Sequence, residues 1–211
     1  MSDPFDALLF PRKRHLRGPD PGPFSYPQAY KAHLRREFLS KCVYCRVPDG
    51  LKGYEGFGVD HYLPASRFTA LAVAWSNLFY ACNVCNTWKS DCLSTPERFL
   101  PNPCEHRMAD HLQYRGAEVE TFTAHGEWLA DLLHLDERRR LREFILSALG
   151  RFLRARIELL GDLVALEDRI EIVRSAEERS FLEIAIQETG QELERVDRQI
   201  ELLTGEPLFS G

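Results

Sequence analysis

Four of the six cysteines fall into two matching pairs, Cys42-x2-Cys45 and Cys82-x2-Cys85, on either side of residues 46–81. Zinc takes four thiolates at about 2.3 Å in a tetrahedron, and two C-x-x-C pairs supply that ligand set. Two thiol-redox motifs, or buried cysteines that retain no metal, are the alternatives. Between the pairs lies "VDHYLPAS", in which Asp60 and His61 are adjacent. Neighbours on an extended strand face opposite ways, so one can hold a metal while the other works on a nearby water. Asn77 begins the stretch "NLFYAC" that leads into the second pair, and Asn86 follows that pair without a gap. A lone Asp-His pair means little, but its place inside a cysteine-clipped segment adds weight.

These residues need elements to position them. "PQAYKAHLRREFLS", residues 27–40, reads as a helix, with Pro27 in the first turn and Tyr30, Leu34 and Phe38 recurring every fourth residue. "FGVDHYLP" reads as a strand ending at Pro64, "NLFYAC" as a second strand, and residues 86–92 as a helix opened by Asn86. Residues 93–125 read as loop, punctuated by Pro96, Pro101 and Pro103. After Gly126 apolar residues recur every three or four positions up to Leu203. Ser175 with Glu178 makes a capping-box signal in their midst, so 136–204 is expected to be a long helical hairpin.

The set Cys42-x2-Cys45, Val59-Asp60-His61-x2-Pro64, Asn77-Leu78 and Cys82-x2-Cys85-Asn86-x2-Lys89 resembles the HNH, or ββα-metal, endonucleases over residues 42–91. The resemblance implies an α+β fold: a zinc-clipped ββα-metal finger embedded in a mostly helical chain with a C-terminal helical hairpin. It implies that Cys42, Cys45, Cys82 and Cys85 hold a structural zinc. Asp60 and Asn86 would hold a catalytic cation, His61 would be the general base, and Asn77 would keep the His61 segment in register. Lys89 would contact phosphate; a solvated helix-face lysine is the alternative. Where the family often has histidine this sequence has Asn86, a harder oxygen ligand, which turns the expected catalytic metal towards Mg(II) or Mn(II). The implied products are a 5′-phosphate and a 3′-hydroxyl. Histidine, which exchanges a proton near neutral pH, suits the base.

Composition is that of an ordinary globular protein, 44% hydrophobic and 28% charged. The chain has no run of eighteen apolar residues, which argues against a membrane helix. Acidic residues precede the short apolar patch near the N-terminus and basic ones follow, the reverse of a secretory signal, so a cytoplasmic protein is expected. The net charge of −5 hides an asymmetry. Residues 1–52 hold ten Lys/Arg against five Asp/Glu, whereas 135–204 hold twelve arginines, no lysine and sixteen acids. The basic third suits DNA phosphates and the acidic part a partner or solvent. Three regions follow: an extended basic, proline-rich arm (1–26), the nuclease domain (27–125) and a helical region (126–211).

Other residues carry less. Cys104, His106, Asp110 and His111 match no zinc template. Cys92 reads as a buried small hydrophobe, and Trp75, Trp88 and Trp128 as core. Arg12-Lys13-Arg14-His15 with Arg17 is a candidate backbone contact, or else a solvated arm. The stretch "PNPCEHRMADHLQYRGAEVETFTAHGEWLADLLHLDERRRLREF" is similar to stand-alone bacterial HNH proteins, including the nuclease component of Septu-type anti-phage systems, which work beside an ATPase partner. That similarity implies an ATPase docked on the hairpin, with packing on the core or a homo-oligomer as alternatives. Two functions stay open: a metal-dependent DNA endonuclease, and a non-catalytic zinc module that touches DNA and recruits a partner.

Overall fold

The computed structural model describes residues 3–95 and 98–208. The expectations on residues 1–2 of the arm, Pro96 of the loop and 209–211 of the helical region lie outside the described residues. The first helix is shorter than expected. A 3-10 turn over Pro27–Tyr30 runs into α1, Lys31–Glu37, and both stop before residue 40. Leu39 and Ser40 adopt left-handed φ angles of 53° and 56°, which turn the chain into the first cysteine pair. Tyr30, Leu34 and Phe38 are all buried, as their spacing requires.

The strands β1, Phe57–His61, and β2, Leu78–Cys82, pair antiparallel with Asp60 opposite Phe79 and His61 opposite Leu78. Every residue of β2 is buried, so this strand runs through the core. Helix α2 covers Asn83–Lys89, three residues ahead of the expected start. Cys82 is its extended N-cap residue, so Cys85 lies inside the first turn and Asn86 mid-helix rather than at its opening.

The stretch expected as loop contains a second hairpin, β3 (Leu112–Arg115) and β4 (Glu118–Thr121), turned at Gly116 with φ 60°. Four-residue strands reading LQYR and EVET give too short a pattern to register in sequence. Helix α3, Ala124–Leu132, follows, with the Thr123 hydroxyl accepting from the Gly126 N–H at 3.1 Å. The helices α4, Arg139–Ile172, and α5, Ala176–Thr204, then pack along one another. Ser175 caps α5, its hydroxyl accepting from the Glu178 N–H. The protein is thus mixed α+β, mostly helical, with two small two-stranded sheets and a C-terminal helical pair. None of the described helices is long and apolar enough to cross a membrane.

One buried cluster joins all three regions, with Leu8 and Phe10 of the arm, Phe79 and Tyr80 of β2, and Leu149 and Ile200 of the helical pair. Arg17, weighed as a phosphate contact, points inward instead. Its guanidinium lies 4.7 Å from the Phe79 ring centre, 5.0 Å from Trp75 and 5.4 Å from Phe38, and it donates to the Leu78 carbonyl. A guanidinium is weakly hydrated and stacks on aromatic faces, so it tolerates this site better than an ammonium would. His15 is also engaged, with Glu37 at 2.9 Å, whereas Arg12, Lys13 and Arg14 stay exposed.

The end of the helical pair is fastened beside the first cysteine pair. Lys41, fully buried, donates to the Thr204 carbonyl at 3.0 Å and pairs with Glu206, while burial pushes its ammonium down to about 8. Gly205 ends α5 at φ 72°, and a Cβ there would lie 2.6 Å from the Leu39 carbonyl oxygen. Gly205→Ala is therefore expected to cost about 1–3 kcal/mol of stability. In urea unfolding the midpoint should fall while the slope stays unchanged.

Candidate functional site

The sulfur ligand atoms of Cys42, Cys45, Cys82 and Cys85 all lie within 4.8 Å of one another, and all four residues are buried. Cys45 and Cys82 Sγ are 3.9 Å apart, close to the edge of about 3.8 Å of a tetrahedron with zinc–sulfur bonds near 2.3 Å. The donor set therefore fits zinc. Local chemistry builds the first turn: the Cys42 N–H bonds the Val47 carbonyl at 2.9 Å, and Arg46, at φ 59°, donates its N–H back to Cys42 at 3.0 Å. A 2.9 Å bond from the Val43 N–H to the Tyr80 carbonyl pins this turn to β2, whose last residue is Cys82.

No local pattern marks the helical region as touching this cluster. Arg138, just before α4, donates to Cys85 Sγ at 3.4 Å and approaches Cys82 Sγ at 3.9 Å, while lying 5.1 Å from the Trp88 ring centre. Burial opposes its charge, but the sulfurs of Cys45, Cys85 and Cys82 outweigh that and hold it more firmly protonated than usual. Hydrogen bonds from Cys42, then Cys45 and Cys85, hold the Cys82 thiol far below the usual range. Burial pushes the Cys42 thiol well above that range, and hydrogen bonds from Cys42, Cys45 and Cys82 do the same to Cys85, so the four sulfurs do not share one protonation state without a metal. Arg142, 3.4 Å over the Tyr114 ring, adds a second link, since the Tyr114 hydroxyl reaches the Cys45 carbonyl at 3.4 Å.

Beside the cluster is a polar cavity of about 220 Å³ lined by Asp60, His61, Pro64, Ser66, Asn86 and Asp91, among others. Asp60, His61 and Asn86 therefore meet on one surface. Asp91 was missed in the sequence; it lies exposed on the rim and accepts from the Ser66 hydroxyl at 2.8 Å. Its one signal was a position five residues after Asn86. The His61 Nε2 lies 2.8 Å from the Ala72 carbonyl. A carbonyl only accepts, so Nε2 carries the proton and Nδ1 keeps the lone pair. Asn77 is buried and clamps the loop between them: its side-chain oxygen accepts from the Leu63 N–H at 2.8 Å, and its amide donates to Leu63 and Leu71 carbonyls at 3.0 and 3.2 Å.

Asp60 is 3% exposed and held from two sides. Tyr44, between the first two cysteines, donates to Oδ2 at 2.5 Å; burial, then Asp60 itself, push its phenol well above the usual range, so it stays a donor. Lys89, the last residue of α2, donates to Oδ1 at 3.1 Å and to the His61 carbonyl at 2.6 Å. At 1% exposed, Lys89 is not the solvated helix-face lysine weighed as the alternative. A helix-terminal lysine is solvated by default, and the packing of α2 on β1 and β2 turns it inward.

Among the described residues the four cysteines are the group of metal-ligating side chains that converges; Cys104, His106, Asp110 and His111 do not join such a group. The rings of His106, His111 and His125 gather around Phe99 instead. Trp75 is buried, Trp88 and Trp128 are partly buried against the core, and Cys92 is half-buried rather than buried.

No family model matches this chain, and no solved structure matches it. It is 32% identical over 104 residues to the Septu protein PtuB of Bacillus thuringiensis. The matched stretch covers 48% of this chain and 39% of that protein, so the chain spans about two fifths of the relative's length.

The cluster yields a measurable expectation. The purified chain should hold one zinc, and Cys85→Ala should lose it. A loss of roughly 4 kcal/mol in a chain of this size lowers the melting midpoint by about 8–16 °C. Arg138→Met should keep the fold but weaken zinc affinity about 10–100-fold, as loss of groups around metal ligands does, in competition with a chromophoric chelator.

Proposed function

We propose that the chain is a metal-dependent HNH endonuclease that hydrolyses DNA phosphodiester bonds, and that it serves anti-phage defence in the cytoplasm. The observation that carries the activity is the meeting of Asp60, His61 and Asn86 in one polar cavity, with the His61 imidazole turned so that Nδ1 is free. In this reading the ββα-metal unit is β1, β2 and α2, within a nuclease region over 27–125, and the helical region 126–211 serves partner docking.

The residues divide the work. His61 Nδ1 takes a proton from the water that attacks phosphorus, while the bond from Nε2 to Ala72 holds the ring in the useful tautomer. Asn77, by fixing Leu63 and Leu71, keeps the loop carrying that carbonyl against His61. The water oxygen bonds to phosphorus, the phosphorus–O3′ bond breaks, and solvent water protonates the departing oxygen, leaving a 5′-phosphate and a 3′-hydroxyl. Asp60 and Asn86 offer one carboxylate and one amide oxygen, a hard and incomplete set that suits Mg(II) or Mn(II) with the remaining positions left to water and substrate oxygens. Such a cation, when bound, polarises the phosphoryl group and stabilises charge on the leaving oxygen.

The defence role draws on the similarity to the Septu protein. It brings with it a partner protein, an ATPase in the systems the sequence resembles, for which the acidic helical pair α4–α5 is the docking surface. A second reading, a non-catalytic zinc module, draws on the two hydrogen bonds that hold Asp60 in the fold.

Plasmid cleavage separates the two. With Mg(II) or Mn(II) the parent should cut, and His61→Ala should cut about 10²–10⁴-fold more slowly, the usual contribution of a general base. Equal rates for the two would rule out the mechanism. An absence of cutting by either, with the partner present, would favour the module.

A further inference from the structure

The inner wall of the cavity carries almost no net charge. Asp60 supplies one negative charge, and Lys89 Nζ, 3.1 Å from Oδ1, supplies one positive charge. Both are buried, at 3% and 1% exposure, so neither is screened by water. The ammonium is fixed in place, because its other contact is the His61 carbonyl at 2.6 Å and withdrawing it would leave a buried carboxylate unpaired. Tyr44 takes part of the remaining capacity of Asp60 through Oδ2. Asn86 brings an amide oxygen without charge, and Asp91 lies exposed on the rim with Ser66 as its partner.

Divalent-cation sites owe their affinity mainly to the number of charged ligands and their rigidity. A wall whose one buried carboxylate is already balanced by an ammonium is a weak site for a free cation. A DNA backbone phosphate entering the cavity supplies the missing negative charge. We propose that this cavity takes up its divalent cation together with a DNA phosphate, and that Lys89 imposes the coupling by cancelling the charge of Asp60. The proposal rests on the nuclease reading. It makes Lys89 a positioning and charge-setting residue behind Asp60 rather than a contact to the backbone. Coupling of this kind is reciprocal: DNA tightens cation binding by the factor by which the cation tightens DNA binding. A free cation would then seldom sit in the site without substrate.

The test counts free Mn(II) by its electron paramagnetic resonance signal over the zinc-loaded full chain, with and without a DNA duplex, against a duplex-only control. A His61→Ala background keeps the duplex intact while leaving Asp60, Asn86 and Lys89 in place. The duplex should tighten Mn(II) binding at least about tenfold. Lys89→Met removes the ammonium and keeps the stem; it should tighten Mn(II) binding without DNA by about tenfold or more and shrink the effect of the duplex. Lys89→Arg keeps the charge and should retain the parental dependence. Retention of one zinc and a cooperative melt checks each fold, and the comparison with and without duplex needs no Lys89 variant at all. Equal Mn(II) affinity with and without DNA overturns the proposal, even if the parent cuts normally. So does a folded Lys89→Met that binds Mn(II) no more tightly. Absence of Mn(II) binding in both conditions overturns the nuclease reading as well, whereas coupled binding without cleavage by the parent supports the coupling and counts against that reading alone.

Discussion

Four sulfur atoms held within 4.8 Å of one another are the constraint on which the rest of the structure depends. They come from a tight turn after α1, from the end of β2 and from the first turn of α2. Thiolates this close repel strongly unless a cation lies among them, so a metal of the zinc type, where bound, would both permit the cluster and hold the chain path through it. Arg138 then finds a site it would otherwise avoid. A buried guanidinium needs partners for its donors, and the sulfurs of Cys82 and Cys85 provide them beside the Trp88 ring. The same atoms that close the finger thereby hold the start of the helical pair.

What passes from the clip to the cavity passes through Asp60. Tyr44 belongs to the first cysteine turn and Lys89 to the helix that contains Cys85, and each bonds one oxygen of this carboxylate. The carboxylate is thereby oriented by both halves of the cluster. Asn77 does the same for the opposite wall, tying Leu63 and Leu71 together so that the Ala72 carbonyl stays against His61. A buried polar network of this kind is costly when any member is unsatisfied, which keeps it in one arrangement. The arrangement of the site therefore depends on the cysteine cluster and not on the hairpin β1–β2 alone.

The cysteine spacing, the strand pair and the long helical hairpin were legible because each is written in local pattern. Two C-x-x-C turns, two short apolar runs and a sustained three-to-four periodicity need no knowledge of distant contacts. The side chains that matter most around the site were not legible in this way. Lys89, Arg17 and Arg138 are charged residues in charged or mixed stretches, and such residues face water unless something specific turns them inward. What turns them is remote in sequence: β1 for Lys89, the aromatic rings of Phe38, Trp75 and Phe79 for Arg17, and the cysteines for Arg138. The start of α2 was misplaced for a related reason. Cys82 serves as its N-cap residue without the polar side chain that usually marks one. The hairpin β3–β4 was missed because four residues per strand hold too few alternations to count.

The inward cations also bear on how a chain of net charge −5 meets a polyanion. Non-specific DNA affinity rises with the number of phosphates neutralised by exposed lysine and arginine. Here Lys41, Lys89, Arg17, Arg46, Arg138 and Arg142 are withdrawn into the fold, held by aromatic faces, carbonyl oxygens, sulfurs or carboxylates. Several of the acids on α4 and α5 remain exposed, and the arginines there mostly pair with them along the helix surface. The exposed run Arg12-Lys13-Arg14 is a small electrostatic footprint by comparison. If the chain is the nuclease proposed above, it does not hold DNA tightly by charge alone. On the proposed reading its low resting affinity is useful, because cutting then depends on whatever brings duplex to the cavity, and the long acidic helical pair is the natural surface for that partner.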